Sequence, residues 1–260
     1  FATGQGTSEE RPIVDAYLDH AHKHIELGKR RCKVVVDAGN GPGGVVGVPL
    51  YRGLGFDVVP LYCEMDGNFP NHHPDPTVED NLSDLKEAVR REGAELGIAF
   101  DGDADRIGVV DDRGRVVWGD QLMILFARAI LADVPGASFV SEVKCSQFLF
   151  DEIEKAGGTA IMWKVGHSLI KAKMKETGAL LAGEMSGHIF FAHRYLGYDD
   201  AVYAGARLLE LCSHSDKTFA ELVDTLPVAY NTPEIRVDMP DEIKFDVVAD
   251  LTARMRKKYK

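Results

Sequence analysis

Short apolar runs alternate with amphipathic segments along most of the chain. Residues 33–37 and 96–100 carry apolar runs of strand length, whereas residues 12–27 repeat apolar side chains at helical spacing. The pattern predicts strands at residues 33–37, 56–62, 96–100, 107–111, 116–118, 138–143, 159–163, 179–183 and 234–239. It predicts a short helix between the first two strands and further helices at residues 12–27, 78–92, 121–132, 146–156, 167–176, 199–212 and 241–258. The segment 218–226 closes the second half of the chain.

The order of these elements divides the chain. Strand and helix alternate up to about residue 115 and begin again near residue 120, which predicts an α/β fold class: two consecutive α/β domains with mostly parallel sheets. We expect the domains to be residues 1–115 and 116–227. Pro227 and residues 231–233 have the composition of a linker, and residues 228–260 are too few for a domain. We interpret residues 228–260 as the incomplete start of a third, α+β unit.

Composition excludes several classes of protein. A chain of 260 residues, 45% hydrophobic and 27% charged, is neither disordered nor fibrous. Its net charge of −11 disfavours nucleic acid and anionic membranes as partners. The longest mostly apolar stretch, residues 122–132, contains Arg128 and is shorter than the ~20 residues of a membrane span. The four cysteines lack CxxC spacing and no signal-peptide pattern opens the sequence, so we expect a cytoplasmic protein with reduced thiols.

Three alternating acids follow a predicted buried strand. Asp101, Asp103 and Asp105 in FDGDADR would lie on one face in steps of ~7 Å if the strand geometry persists. Clustered hard oxygen ligands favour magnesium, and the planar guanidinium of Arg106 suits a phosphate group. Alternatives are a solvated acidic turn or an aspartyl-nucleophile phosphatase, although that phosphatase expects Thr or Val in place of Asp105. An EF-hand is excluded, because it needs Gly at position 106 and Glu at position 112.

Other motifs have competing interpretations. GNGPGG at residues 39–44, with Glu64 ending the next strand, fits a dinucleotide-binding pattern, but a tight strand-to-helix turn needs the same glycines. His20, His22 and His24 have a spacing that could bind zinc, yet we interpret them as a polar helix face because no third ligand is evident. We expect the pair at residues 72–73 to face solvent.

Four ordered motifs together resemble the phosphohexomutase family, specifically its bacterial bifunctional phosphomannomutase/phosphoglucomutase branch. They are FDGDADRIGVVD (residues 100–111), EVKC (142–145), KVGHS (164–168) and GEMSGH (183–188). The likeness covers nearly the whole chain but only the middle of the family's four-domain protein, which implies that residues to about 115 are its second domain and those to about 226 its third. The N- and C-terminal domains of the same parent chain would be the missing partners.

Two motifs of the family are missing from this sequence. The family's phosphoserine lies in a serine, histidine, asparagine, proline motif, and the pair Ser213-His214 continues differently. The family's C-terminal phosphate loop, Arg-x-Ser-Gly-Thr-Glu-Pro, has only a superficial echo at residues 231–234. We therefore expect this chain to be inactive alone.

The resemblance implies a role for particular residues. Asp101, Asp103 and Asp105 would bind Mg²⁺, whose remaining ligand would be the phosphoserine, and Arg106 would lie beside that phosphate. Glu184 and Ser186 would bind sugar hydroxyls, and Lys144 would bind sugar or phosphate. His167 and His188 would contact the substrate near its reacting hydroxyl. The predicted catalytic residues are these two histidines together with Arg106.

The resemblance also implies a reaction. A complete parent would interconvert hexose 1- and 6-phosphates of mannose and glucose through a phosphoserine and a bisphosphorylated sugar, with glucose 1,6-bisphosphate as activator. Phosphoryl transfer depends mainly on positioning and charge neutralisation, which Mg²⁺, arginine and lysine supply. The alternative is a non-catalytic fragment that binds magnesium and sugar phosphate.

Overall fold

A five-stranded sheet in the order β2-β1-β3-β4-β5 forms the first part of the chain in this computed structural model, which describes residues 3–228 and 237–259. Its strands are β1 (Lys33–Asp37), β2 (Asp57–Leu61), β3 (Leu96–Phe100), β4 (Ile107–Asp111) and β5 (Val116–Val117). Its helices are α1 (Val14–Lys23), α2 (Gly43–Gly53) and α3 (Ser83–Glu92), the last preceded by a 3₁₀ turn at Glu79–Leu82. β1 pairs in parallel with β2 and β3, and β3 to β5 form an antiparallel edge.

A second sheet, in the order β7-β6-β8-β9, repeats this plan. Its strands are β6 (Ser138–Glu142), β7 (Thr159–Trp163), β8 (Leu181–Gly183) and β9 (Ile189–Phe191). The helices of this part are α4 (Gly119–Asp133), α5 (Gln147–Lys155), α6 (His167–Thr177), α7 (Ala201–His214) and α8 (Phe219–Val223). β6 pairs in parallel with β7 and β8, and β9 returns antiparallel to β8. The loops after β3 and β8 are therefore each closed by an antiparallel strand.

Local chemistry sets the ends of several helices. The Asp200 carboxylate accepts the N–H of Tyr203 at 2.8 Å and begins α7, and Ser146 Oγ caps α5. Gly93 and Gly178 end α3 and α6 in the left-handed conformation, which glycine adopts without steric cost.

One hydrophobic cluster joins the two sheets. It contains Val34 and Phe100 from the first sheet, Phe139 and Phe191 from the second, and Leu208 of α7, all buried. Residues 1–228 accordingly form one compact unit. This shared core fixes the loop after β3 relative to the loop after β8.

The C-terminal unit, residues 229–260, is separate. Its helix α9 (Asp241–Lys258) has acidic residues in its first turn and basic residues in its last, as the helix dipole favours. The predicted linker at residues 231–233, and residues 234–236 of the predicted strand 234–239, lie outside the described residues. The described remainder, residues 237–239, is not a strand.

The predicted fold class is confirmed: two mixed α/β sheets with parallel central strands. Several details were not as predicted, since most element bounds differ from the predicted ones by a few residues. Helix α1 ends at Lys23 instead of residue 27, and the short strand β9 was not anticipated. Within the described residues, every helix is too short or too polar to cross a membrane. All four cysteines are free thiols.

Candidate active site

The acidic loop, residues 101–106, is built around its own first carboxylate. Asp101 is almost fully buried, and its Oδ1 accepts the N–H groups of Asp105 and Arg106, each at 3.0 Å. Ala104 adopts a positive φ of 64° where the loop turns. The loop begins at the end of β3 and leads directly into β4, so the sheet holds both of its ends.

The three acids of this loop converge. One carboxylate oxygen from each of Asp101, Asp103 and Asp105 lies within 4.8 Å of the others. Burial, together with the negative charge of Asp101, raises the pKa of Asp105 to about 6. Such a cluster carries repulsion that a divalent cation would relieve.

The donor set of these acids fits Mg²⁺. Three of the roughly four lone-pair sites on the Asp101 carboxylate are used, two on Oδ1 by backbone N–H groups and one on Oδ2 by Arg106. One site on Oδ2 thus stays available to a cation. Asp103 and Asp105 add hard carboxylate oxygens, which are the ligands that magnesium prefers.

Arg106 is held between two carboxylates. Its Nε donates to Asp101 Oδ2 at 2.6 Å, and its Nη1 donates to Asp75 Oδ1 at 3.1 Å. The side chain is one quarter exposed. The guanidinium is therefore oriented by the protein while it remains accessible from solvent.

The second loop, residues 184–188, connects β8 to β9. Glu184 Oε1 accepts the N–H of Gly166 at 2.8 Å, and Glu184 Oε2 lies 3.1 Å from His188 Nδ1. Burial opposes the charge of Glu184, but the hydrogen bonds from His188 and Gly166 outweigh it and lower the pKa of this acid. Ser186 Oγ also lies 3.3 Å from His188 Nδ1. Buried Glu142, at the end of β6, accepts the N–H of Met185 and supports the loop from below.

The two loops meet at His188. Its Nε2 lies 3.2 Å from Asp105 Oδ1, and the N–H of Ile107 donates to Gly187 O at 3.0 Å. Gly187 has a φ of 96°, and a Cβ there would collide with the Ile107 carbonyl, so the approach requires glycine. Burial lowers the pKa of His188, but the bond to Glu184 and the charge of Asp105 outweigh it, so that the pKa is raised.

Lys144 and His167 lie at the edge of this centre. Lys144 Nζ is 3.8 Å from Glu142 Oε2, and its charge helps to lower the pKa of Glu184. The ring of His167, at the start of α6, has its centroid 5.7 Å from that of His188. The structure thus brings the sequence-predicted site residues together around one centre.

Two residues of this centre, Asp75 and Asp199, were not predicted from the sequence. Asp75 contacts Arg106 from a proline-rich loop, and Asp199 binds Lys171 Nζ at 2.8 Å. Asp199 also places an oxygen within 4.8 Å of ligand atoms of Asp105 and His188. Its position before α7 signalled only a helix start, and nothing in the sequence linked Asp75 to an arginine in another loop.

Two sets of histidines differ from expectation. His72 is not solvated: its Nε2 lies 3.1 Å from Oδ2 of fully buried Asp37, which raises the pKa of His72 to about 9. His20 and His24 do not form a polar face either. Their ring centroids are 4.4 Å apart, and the ring of His20 packs 5.6 Å from that of Tyr195. These helix histidines are part of the packing between α1 and the segment before α7.

The glycine-rich loop, residues 39–44, uses backbone donors internally. Its first two N–H groups donate to Asp37 Oδ1 at 2.9 Å and to Tyr62 O at 2.7 Å. A Cβ at Gly44 would lie 2.7 Å from Cys63. A dinucleotide site needs such N–H groups for phosphate, so these contacts favour the tight-turn interpretation.

An open cavity of about 390 Å³ borders the acidic loop at Asp103 and Asp105. Tyr17, Met65 and Tyr198 contribute to its other walls. Its size is that of a small-molecule site.

Comparison with known proteins matches both α/β parts to one family. Residues 15–114 match the model of phosphoglucomutase/phosphomannomutase alpha/beta/alpha domain II, and residues 118–230 match that of domain III. A phosphomannomutase/phosphoglucomutase of Pseudomonas putida is 50% identical over 244 residues, covering 94% of this chain and 52% of the relative. The chain thus spans about half the length of the curated relatives it matches.

Solved structures agree with this. A phosphoglucomutase/phosphomannomutase family protein from Burkholderia thailandensis superposes with a TM-score of 0.86 at 46% identity, covering 90% of this chain and 50% of that one. An N-acetylphosphoglucosamine mutase from Aspergillus fumigatus, solved with GlcNAc-6P and magnesium, shares the fold. Its TM-score is 0.61 at 16% identity, covering 82% of this chain and 52% of that one.

Proposed function

Because this chain belongs to the phosphoglucomutase/phosphomannomutase family, we propose that it forms the middle of a phosphohexomutase. Residues 1–115 would be the second domain of the parent, residues 116–227 the third, and residues 228–260 the start of the fourth. The observation that carries the proposal is the contact of His188 with Asp105, which joins the acidic loop to the 184–188 loop in one centre. Neither a phosphatase site nor a dinucleotide site would require that contact between the two loops.

Asp101, Asp103 and Asp105 would hold Mg²⁺. The cation would supply positive charge that neutralises a phosphate group in the site. The fit rests on the three converging oxygens and on the hard donor chemistry of carboxylates.

Arg106 and Lys144 would bind phosphate oxygens. Arg106 approaches any ligand with its guanidinium already oriented by two carboxylates, which reduces the entropy lost on binding. Lys144 supplies a flexible point charge that can follow a phosphate in either of two orientations of the sugar. Such reorientation is what exchange between 1- and 6-phosphates demands.

Glu184 and Ser186 would bind neighbouring hydroxyls of the sugar ring. Glu184 stays ionised because its pKa is lowered, so it accepts hydrogen bonds from hydroxyl groups. Mannose and glucose differ at one carbon, and a loop that binds the other hydroxyls accepts both sugars.

His188 would move the proton of the reacting hydroxyl, with His167 beside it. The Nδ1–H group of His188 can donate to Glu184 Oε2. Once Asp105 engages the cation that it would hold, the Nε2 lone pair beside it would accept that proton. The carboxylates at both ring nitrogens would stabilise the imidazolium that results.

The whole protein would convert hexose 1-phosphates to 6-phosphates. A phosphoserine, in a segment that this sequence does not contain, would give its phosphoryl group to the sugar hydroxyl and regain one from the other end of the bisphosphorylated sugar. Glucose 1,6-bisphosphate would restore the phosphoserine when it is lost. This chain alone would bind magnesium and sugar phosphate without turnover.

The test is a coupled assay of a protein that carries all four domains, supplied with Mg²⁺ and glucose 1,6-bisphosphate. Glucose 1-phosphate and mannose 1-phosphate should both yield 6-phosphates, with no matching release of inorganic phosphate. Stoichiometric release of inorganic phosphate would contradict the proposal and favour a phosphatase.

A further inference from the structure

The proline loop, residues 71–77, reaches the candidate site through one carboxylate. Asp75 accepts a hydrogen bond from Arg106 Nη1, opposite the bond that Arg106 Nε gives to Asp101. We propose that Asp75 is a positioning residue that fixes the guanidinium plane of Arg106 over the acidic loop. Its effect on catalysis rests on the proposed function, in which Arg106 binds phosphate.

Asp75 is itself held rigidly. Its Oδ1 accepts the N–H of Thr77 at 3.0 Å and the Thr77 hydroxyl at 2.7 Å, and its backbone carbonyl accepts Asn81 Nδ2 at 2.9 Å. The carboxylate cannot follow a moving guanidinium without breaking these bonds. Asp75 therefore offers Arg106 a fixed acceptor.

The hydrogen bonds of Arg106 define the guanidinium plane. Rotation about the Nε–Cζ bond would break the bond to Asp75, while the bond to Asp101 would survive it. Asp101 alone thus leaves that rotation free, and Asp75 stops it. Among the described residues, Nη2 has no hydrogen-bond partner, so an oriented donor remains for an anion.

Buried polar contacts seat the loop on the first sheet. His72 Nε2 lies 3.1 Å from Oδ2 of Asp37, at the end of β1, and Asn71 Nδ2 donates to Asn40 Oδ1 at 2.8 Å. Asp37 is fully buried, so movement of the proline loop away from the sheet would break the contact between His72 and a buried carboxylate.

Prolines of this loop lie against two glycines, and the approach at Gly108 leaves no room for a Cβ. A Cβ at Gly102 would lie 3.4 Å from Pro74, and a Cβ at Gly108 would lie 2.5 Å from Pro76. The proline loop thus packs against the acidic loop at Gly102 and against β4 at Gly108. The position of Asp75 follows from this packing and not from Arg106 alone.

The direct test measures guanidinium rotation in this 260-residue chain. NMR exchange spectroscopy of the chain labelled with ¹⁵N-arginine measures the rate of rotation about the Nε–Cζ bond. The Arg106 signal is assigned by its loss in Arg106→Lys. We expect Asp75→Asn to speed the rotation at least about tenfold, since a neutral amide gives a weaker bond than a carboxylate. The matched control is Asp66→Asn, which alters a carboxylate that accepts hydrogen bonds from Asn68 and should leave the rate unchanged.

Activity of the four-domain protein gives the second readout. We expect Asp75→Asn to lower kcat/KM for glucose 1-phosphate by about 10- to 100-fold, and Asp75→Glu to restore part of the loss because it keeps the charge. Asp66→Asn should keep wild-type kinetics. If Asp75→Asn does not fold, the rotation rate of Arg106 is measured in Asp75→Glu and in Asp75→Ala. The rate in Asp75→Glu should be closer to the wild-type rate than the rate in Asp75→Ala.

The outcomes separate the two proposals. Faster rotation in Asp75→Asn of the 260-residue chain, together with a four-domain protein that lacks mutase activity, would support the positioning role and contradict the proposed function. An active mutase in which Asp75→Asn changes neither the rotation nor kcat/KM would overturn the positioning role alone.

Discussion

His188 Nε2 lies 3.2 Å from Asp105 Oδ1, and these atoms belong to loops that leave two different sheets. The same imidazole contacts Glu184 through Nδ1, so one side chain connects the acid that would bind metal to the acid that would bind sugar. Backbone pairing of Arg106 with His188 reinforces the junction. The junction of the two loops is therefore part of the compact unit of residues 1–228.

Magnesium binding should depend on the acidic loop of this chain. We expect calorimetry to show a millimolar-type event, about −4 kcal/mol, because three carboxylates are present and the phosphate ligand is not. Asp103→Asn should abolish it, and Asp112→Asn, in the exposed turn after β4, should not. An unchanged titration in Asp103→Asn would place the metal elsewhere.

Loss of the His188 imidazole should slow the proposed mutase without removing its metal. In a four-domain protein we expect His188→Gln to lower kcat by about 10²- to 10⁴-fold, the range of general acid–base catalysis. Magnesium titration of the 260-residue chain with the same substitution should match wild type. His214→Gln, at an exposed position on the end of α7, is the control. Wild-type kcat in His188→Gln would remove this residue from proton transfer.

The close approach of the two loops should be intolerant of a side chain at Gly187. Gly187→Ala adds both a positive-φ penalty and a collision with the Ile107 carbonyl, whereas Gly136→Ala, with φ of 80° and open space, adds only the first. We expect the positive φ to cost about 1 kcal/mol in each variant and the collision to add about 1–3 kcal/mol in Gly187→Ala. Urea unfolding of both variants measures the difference. Equal losses would show that the loops have room to separate.

The His72–Asp37 pair should stabilise the fold in a pH-dependent way. The folded pKa of His72, about 9, is above its ordinary 6.5, so its contribution is complete below pH 6.5 and is lost as the pH rises through about 9. We expect His72→Gln to lower the free energy of unfolding by about 1.5–3 kcal/mol at pH 6, the value of a hydrogen bond to a charged group. The deficit relative to wild type should shrink at pH 9.5. A deficit independent of pH would mean that His72 is neutral in the fold.

Much of the fold could be predicted from the sequence because its strands are continuous apolar runs. The strands at residues 33–37, 96–100, 107–111 and 159–163 and the helix at residues 241–258 have the predicted bounds. Strand β9 was missed because its apolar run is only three residues long and is defined as a strand by its pairing with β8. The end of α1 was misplaced because His24 and Ile25 continue the apolar spacing after the helix hydrogen bonds have stopped.

Part of the candidate site could likewise be predicted from the sequence, and part of it could not. Its acids and histidines are contiguous in motifs, so the loops could be found without a structure. Asp75 and Asp199 are separated from their partners by 31 and 28 residues, and neither pairing has a local signature. The burial of His72 likewise depends on Asp37, which is 35 residues away. Proline-rich loops usually face solvent, and here the prolines pack against glycines.

In the proposed mutase, Glu184 would bind sugar hydroxyls in the same site where Arg106 of the acidic loop would bind phosphate. The most direct measurement is the kinetics of Glu184→Ala in a four-domain protein with glucose 1-phosphate and with mannose 1-phosphate. We expect kcat/KM to fall by roughly 10- to 150-fold, because a lost charged hydrogen bond costs about 1.5–3 kcal/mol. The loss should be the same for both sugars, because Glu184 would bind hydroxyls that glucose and mannose share. Glu154→Ala, at an exposed position on α5, should behave as wild type. Full activity of folded Glu184→Ala on both sugars would contradict the account.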